Sequence, residues 1–238
     1  ACRTLPTHED VKEMSETDKT LSLLDPRFLD TPAYAVEQSR QVASVMADKS
    51  RKAMDLAMEL LQGYDEAKAE QVAQMETDVD RFEDELGTYL VKLSSRQLSG
   101  KDSETLNTIL HCIGDFERIS DHARNVKEAA QEMYDKKLDF SDKAQEELKV
   151  FERAVHDILD ITMNSFIKGD LNLARQVEPM EEVIDGLSLD VKQRHVRRLR
   201  KGKCTIELGF ILSDVITNFE RVSDHCSNIA VCLVPVSY

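Results

Sequence analysis

The sequence contains no tryptophan, and only 5% of its 238 residues are aromatic. Glycine and proline are also scarce, with eight and five residues respectively, whereas 32% of the residues are charged. Because β-sheets favour aromatic and β-branched side chains, this composition favours helices. No uncharged apolar run approaches the roughly 18 residues that a membrane span requires, and no signal peptide is found. The sequence therefore predicts a helical protein without a membrane span of its own.

Positively charged residues are outnumbered: the sequence has 31 Lys and Arg residues but 45 Asp and Glu residues, which gives a net charge of −14. Phosphate backbones recruit Lys and Arg, so this balance argues against a nucleic-acid partner. The five cysteines are odd in number and show no CxxC spacing, which favours a reduced, cytoplasmic setting. The first residue is Ala1 rather than Met, and both methionine removal and excision from a longer chain would account for it.

From residue 33 onward, apolar residues recur at alternating spacings of three and four, as one face of a helix requires. Residues 1–32 lack this pattern and hold three of the five prolines, so we expect a linker or extended lead-in there. The apolar series of the first half recur in the second at offsets of 105 and 103. We therefore predict an all-α fold of two tandem three-helix bundles, residues 33–138 and 139–238, with no β-sheet.

A ten-residue motif occurs once in each half. Residues 116–125 read FERISDHARN and residues 219–228 read FERVSDHCSN, so seven of ten positions are identical. Core packing explains the repeated Phe and the small residues, but it does not require Glu, Asp, His and Asn. In each copy the Glu, Asp and Asn are spaced four residues apart, which places them on one stripe of a helix. The repeat therefore predicts a polar site on this stripe in each bundle.

A further acidic pair, also spaced i, i+4, lies on the preceding helix of each half. Four carboxylates on two neighbouring helices repel one another unless protons or a cation neutralise them. Hard cations take oxygen ligands, so we expect Mg²⁺, Mn²⁺, Ca²⁺ or iron. The predicted ligands of the first bundle are Glu76, Asp80, Glu117 and Asp121, with Asn125 as a further candidate. Those of the second bundle are Glu181, Asp185, Glu220 and Asp224, with Asn228 as a further candidate.

Simpler interpretations compete with metal binding. Acidic i, i+4 pairs are common on solvated helix faces, and only their repetition in register argues for a site. Arg118 and Arg221 are alternative neutralising partners, although each lies one residue off the stripe and is expected to point elsewhere. His122 and His225 are turned about 100° away from the adjacent Asp. We therefore favour hydrogen bonding between helices over metal ligation for both histidines.

The two Glu-Arg-x-Ser-Asp-His-x-x-Asn motifs resemble those of the PhoU family, and the resemblance covers roughly residues 33–234. It implies two three-helix bundles with paired E(D)xxxD motifs, a cytoplasmic regulator of phosphate uptake, and bound metal clusters, often iron. Two departures are expected to alter the second site. Pro179 lies inside a predicted helix that it should kink, and Asn218 replaces the Asp115 of the first copy.

The lead-in 24–32, LDPRFLDTP, suggests a narrower resemblance. It is similar to the segment that joins the membrane part of bacterial sodium/phosphate cotransporters to their C-terminal PhoU-like domain. Such a domain would lie at the inner face of the plasma membrane, with the membrane transporter part as its partner. The resemblance therefore implies a regulatory metal-binding domain of a cotransporter.

Other functions stay open beside that one: a stand-alone PhoU-type phosphate-signalling regulator, or a metal-free helical scaffold that binds a partner. A di-metal carboxylate enzyme is disfavoured, because such sites use Glu-x-x-His pairs and no histidine here has Glu or Asp three residues before it. We therefore assign no catalytic residues and predict a protein that is not an enzyme. The oligomeric state is left open, a homodimer included.

Seven basic residues crowd into twelve positions near the end of the second bundle's second helix. They are Lys192, Arg194, Arg197, Arg198, Arg200, Lys201 and Lys203. Cations near a helix C-terminus complement the macrodipole, but two or three would suffice. We therefore expect Arg197, Arg198, Arg200 and Lys201 to face an anionic membrane surface or an acidic loop of the transporter. A merely solvated basic tip is the alternative.

Overall fold

The computed structural model describes residues 14–234, and every regular element in that range is a helix. In chain order the α-helices are α1 (Glu16–Leu21), α2 (Pro32–Gln62), α3 (Glu66–Ser94), α4 (Gly100–Lys136), α5 (Asp142–Lys168), α6 (Leu171–Ala174), α7 (Val177–Arg200) and α8 (Ile206–Leu233). Helices α2, α3 and α4 pack as the first bundle, and α5, α7 and α8 as the second. Among the described helices, none is both long and apolar enough to cross a bilayer. The all-α prediction of two three-helix bundles is confirmed.

The lead-in is partly helical over its described residues. Helix α1 and a 3₁₀ helix (Pro26–Asp30) fold back on the first bundle, where Leu21 and Leu29 are buried. The hydroxyl of Tyr89 on α3 donates to the carbonyl of Asp25 at 3.1 Å. These apolar contacts replace the expected extended linker over residues 16–30. Residues 1–13 of the predicted lead-in, and 235–238 of the predicted second bundle, lie outside the described residues.

Helices α6 and α7 together correspond to α3 of the first bundle. The repeat predicts one continuous helix here, but the structure has two separate ones. Pro179 is the third residue of α7, so it does not kink the interior of a helix as expected. In a helix that continued from α6, its ring would clash with the carbonyl of Arg175, four residues earlier. The chain leaves the helix at Arg175 and Gln176 instead. Within the first turn a proline lacks only an N–H that has no intrahelical acceptor, so Pro179 fixes where α7 begins.

The two bundles share one hydrophobic core. Helix α4 packs along α8, and α2 also contacts α5. Phe116 of α4 meets Phe166 of α5 edge to face, with ring centroids 4.9 Å apart. Phe151 of α5 meets Phe219 of α8 in the same way at 5.4 Å. The helices that carry the repeated motif, α4 and α8, therefore lie where the bundles join.

Candidate metal centre

One face of the repeated motif lies in the crossing of α4 and α8. The Nδ1 atom of His122 lies 2.8 Å from Oδ1 of Asn218 across the crossing. The Nδ1 atom of His225 lies 2.8 Å from Oδ1 of Asp115. The two imidazole rings are neighbours, with centroids 5.5 Å apart. The prediction that both histidines hydrogen-bond between helices is confirmed.

The two asparagines of the motif complete this network. Asn125 Nδ2 donates to Asn218 Oδ1 at 3.1 Å, and Asn228 Nδ2 donates to Asp115 Oδ1 at 3.2 Å. Each of these residues has its counterpart 103 positions away, so the contacts are reciprocal, as they are across a two-fold axis. The structure thus uses Asn125, Asn228 and Asn218 to join the bundles, which gives the repeated Asn a role without a metal.

Three of the predicted ligands of the first bundle converge on the other face. Glu76 and Asp80 lie one turn apart on α3, and Asp121 meets them from α4. One carboxylate oxygen of each lies within 4.8 Å of the other two, and no other such group of three occurs within residues 14–234. Glu76 is buried, Asp121 half-buried and Asp80 exposed. Glu117, one turn before Asp121, does not belong to this group of three, and its Oε2 lies 3.4 Å from Nε of Arg118.

Two arginines neutralise part of this charge. Arg124 forms an ion pair with Glu76, and its Nη2 lies 3.4 Å from Oδ1 of Asp121. Nη1 of Arg118 lies 3.2 Å from Oδ2 of Asp121, so the expectation that this arginine points elsewhere is wrong. Sequence reasoning missed Arg124, which bridges α3 and α4. The sequence already distinguishes the two motifs at this position, because Ser227 stands in the second motif where the first has Arg124.

Negative charge still exceeds positive charge at this centre, where four carboxylates lie near two guanidinium groups. Burial, and then the charge of Asp121, raise the pKa of Glu117 to about 6. Burial is also the main cause that raises the pKa of Glu76 and of Asp80, with Arg124 opposing the rise at both. A set of carboxylate oxygens fits Mg²⁺, Mn²⁺, Ca²⁺ or iron better than a soft metal. The residues present therefore suit a hard cation.

The predicted ligands of the second bundle are arranged differently. Within the described part of the chain, no three of them come as close as the trio in the first bundle. Glu220 accepts hydrogen bonds from Ser188 Oγ at 3.1 Å and Lys192 Nζ at 2.7 Å. Although burial opposes the change, these bonds lower the pKa of Glu220. The first bundle has Glu83 and Gly87 at the positions of Ser188 and Lys192, so the difference originates in the sequence.

The remaining acids of the second bundle form a more open cluster. Burial, followed by the charges of Asp185 and Asp224, raises the pKa of Glu181. Arg221 Nη1 lies 3.3 Å from Oδ2 of Asp224, again contrary to the expectation that it points elsewhere. The side chain of Asp224 is 41% exposed, against 21% for Asp121. The two sites that the repeat predicts therefore differ in charge balance and in exposure.

Solved structures with the same fold come from two bacteria. The crystal structure of PhoU from Pseudomonas aeruginosa matches with a TM-score of 0.77 at 22% identity, over 83% of this chain and 94% of that one. The phosphate transport system regulatory protein PhoU from Streptococcus pneumoniae matches with a TM-score of 0.73 at 17% identity, over 85% and 94%. At these identities the likeness establishes the fold.

Comparison of sequences extends this result to the family. A curated relative from Thermotoga maritima, phosphate-specific transport system accessory protein PhoU homolog 1, is 24% identical over 201 residues, which span 82% of this chain and 86% of the relative. The PhoU homolog of Pseudomonas aeruginosa is 22% identical over 82% of this chain and 80% of its own length. The model of the PhoU domain matches residues 43–130 and 149–233, one segment in each bundle. Because these segments cover most of the sequence, the chain belongs to the PhoU family.

Proposed function

We propose that this chain is a PhoU-type accessory regulator of phosphate transport and that its first bundle binds a hard metal ion through Glu76, Asp80 and Asp121. The convergence of these three carboxylates, from two helices onto one point, carries the metal-binding part of the proposal. The regulatory part is supported by membership of the family and by the names of the relatives. An acidic cluster shared by α3 and α4 gives a metal ion a direct way to change how tightly these helices are held.

The comparisons favour an accessory protein over the cotransporter domain that the lead-in suggested. The relatives described above are accessory proteins of phosphate-specific transport systems, and this chain spans 80–86% of their length. Regulation then acts on a separate transporter, at the cytoplasmic face of the membrane. The lead-in itself has a structural role, since Leu21 and Leu29 are buried on the first bundle.

Arg124 is the residue that competes with a metal ion at this centre. When bound, the ion supplies the positive charge that offsets the repulsion among the carboxylates. Glu76 and Asp121 would turn their oxygens from the guanidinium of Arg124 towards the site that they share with Asp80. Arg124 has a 42% exposed side chain, so it can move into solvent while the bound ion offsets the charge of the buried Glu76.

The same arginine supports a second candidate function, a metal-free scaffold. In this version Arg124 stays between Glu76 and Asp121, and the acidic faces serve only to bind a protein partner. The two versions make opposite predictions for the removal of Arg124. A metal site gains affinity when the competing cation is lost, whereas a scaffold loses a stabilising ion pair and gains nothing.

Replacing Asp121 with Asn is expected to weaken metal binding to the first bundle about tenfold or more, because a neutral amide is a poorer ligand for a hard cation. The full chain would be purified, stripped with a chelator and titrated with Mn²⁺ and Fe²⁺ by equilibrium dialysis with elemental analysis. Asp224→Asn is the matched control in the second bundle and should leave the metal affinity of the first bundle unchanged. Arg124→Gln should tighten binding severalfold.

If Asp121→Asn keeps the full metal affinity, the proposed metal site of the first bundle is contradicted. Equal losses in Asp121→Asn and Asp224→Asn would show that the metal responds to the overall acidic field. Absence of metal binding in the unaltered chain, together with lower stability of Arg124→Gln, would establish the scaffold instead.

A further inference from the structure

The basic end of the second bundle encloses two adjoining cavities. A cavity of about 340 Å³ lies between the residues before and within the first turn of α5, the last turns of α7, and the start of α8. A second, of about 320 Å³, lies between the same end of α5 and the residues that follow α7. Ser141, Arg198 and Lys203 line both cavities. Basic side chains from α5, α7 and the loop after α7 complete the second one, namely Lys143, Arg197 and Lys201.

Buried polar groups without partners line these cavities. His195 is only 7% exposed, and neither of its ring nitrogens has a hydrogen-bond partner within the described residues. Arg198, with a 13% exposed side chain, donates from Nη1 to Glu147 at 2.7 Å, while its buried Nη2 has no partner in that range. Buried polar atoms are nearly always hydrogen-bonded, because an unpaired one costs about 1–3 kcal/mol. A neutral imidazole donates from only one of its two nitrogens, so one nitrogen of His195 and Nη2 of Arg198 are two donors, on adjoining turns of one helix, whose hydrogen bonds a ligand can accept.

The N-terminus of α5 lies at the same place, with Asp142 as the acidic residue of its first turn and as part of the lining of the second cavity. Its N-cap residue Ser141 makes no side-chain hydrogen bond to the first turn, unlike Thr205 at the start of α8, which accepts from the Leu208 amide at 3.2 Å. The first amides of a helix carry partial positive charge and bind anions when no cap occupies them. Ser141 lines both cavities.

The ion pairs separate the basic residues of this end into two sets. Lys192, Arg194 and Arg198 are paired with Glu220 or Glu147. The others are exposed and have no ion pair within residues 14–234, namely Lys143, Arg197, Arg200, Lys201 and Lys203. Arg198 differs from the exposed members of this basic group, because its side chain is largely buried inside the bundle end. Arg198 lines a cavity where four of the five unpaired basic residues also lie.

We infer that this end of the second bundle is a binding site for a phosphate group, held by Arg198, His195 and Lys203 at the N-terminus of α5. The planar guanidinium presents donors that match the oxygens of phosphate, and Lys203 supplies a mobile point charge. The neutral imidazole of His195 can donate one further hydrogen bond. The site is separate from the carboxylate centre and does not rest on metal binding. The phosphate group can belong to the free inorganic ion or to a lipid headgroup.

The test compares two exposed basic residues of the same end. Lys203→Gln removes a charge from the cavities, and Arg200→Gln removes the same charge outside them. Isothermal titration of the metal-stripped full chain with inorganic phosphate, in buffer with physiological salt, should show binding that Lys203→Gln weakens about tenfold. Arg200→Gln should change the affinity less than about twofold, because a charge outside the cavity acts only through the screened field.

A second arm separates the two sources of phosphate. Sedimentation with phosphatidylcholine vesicles, with and without phosphatidic acid, would test the lipid headgroup with the same variants. Binding of either probe with selective loss in Lys203→Gln supports the site and identifies its source. His195→Gln, checked for folding by circular dichroism, should weaken the binding of the same probe. The inference is overturned if neither probe binds, or if Lys203→Gln and Arg200→Gln weaken binding equally.

Discussion

Replacing Phe116 with Ala is expected to lower the free energy of unfolding by about 3–5 kcal/mol, the usual loss for a fully buried phenylalanine. Phe116 is 0% exposed and meets Phe166 across the boundary between the bundles. Because the lost contacts belong to both bundles, we expect the variant to unfold in one transition at lower urea concentration. The slope of the transition should be unchanged, since the same surface is exposed.

The distribution of tyrosines allows the unfolding of the first bundle to be compared with that of the whole chain. Four of the five tyrosines lie in helices of the first bundle or the residues that adjoin them, and the fifth is Tyr238. Tyrosine fluorescence therefore reports mainly on the first bundle, whereas far-ultraviolet circular dichroism reports on both. The control is Phe210→Ala on α8, whose ring is 74% exposed, and it should change stability by less than about 0.5 kcal/mol. Separate transitions in the two signals would contradict a shared core.

Replacing Glu152 with Gln is expected to stabilise the protein by up to about 3 kcal/mol at pH 8, the free energy that corresponds to its shifted pKa. Glu152 is 7% exposed on α5 and accepts a hydrogen bond from Gln62 Nε2 of α2 at 2.6 Å. Burial raises its pKa from 4.5 to about 7, against the opposing effects of Gln62 and Lys149. Gln keeps the size of the side chain and removes the charge that burial disfavours.

The sign of this effect follows from proton binding. Between pH 4.5 and 7 the folded state keeps the Glu152 proton while the unfolded state releases it, so stability falls as pH rises through this window. Urea unfolding from pH 4 to pH 8 should show this fall in the unaltered chain and a smaller one in Glu152→Gln. The two proteins should be nearly equal at pH 4. Glu146→Gln, at an exposed position of the same helix, should leave the pH profile as it is. Parallel profiles for all three proteins would contradict a protonated Glu152.

The fold could be predicted because its signals are periodic. Apolar residues repeat along each helix, and the series and motif recur at offsets of 105 and 103, which indicates two copies of one unit. The split between α6 and α7 was missed because one proline can be accommodated either by a kink or by a new helix start. Only the packing of Pro179 in three dimensions decides between these outcomes.

The candidate site could be predicted only in part. Spacing along a helix shows which side chains share a stripe, so Glu76 could be paired with Asp80, and Glu117 with Asp121, in advance. Spacing does not show which residue of a neighbouring helix lies opposite that stripe. Arg124 and Lys192 are such residues, and each is present in one copy and absent from the other. The sequence therefore predicted a centre in each bundle, with Pro179 and Asn218 altering the second, whereas packing gives each centre its own counter-charge.

The reciprocal contacts across α4 and α8 have a consequence for the chemistry of their interface. An isologous dimer of identical half-length chains would present its acceptor residue twice, as two aspartates or as two asparagines. Covalent linkage of the halves removes that constraint, and this chain has Asp115 on one side and Asn218 on the other. Of the two neighbouring imidazoles, one thus contacts a carboxylate and the other an amide. A fused repeat can thus have an aspartate in one half and an asparagine at the equivalent position of the other. A symmetric pair of identical subunits cannot.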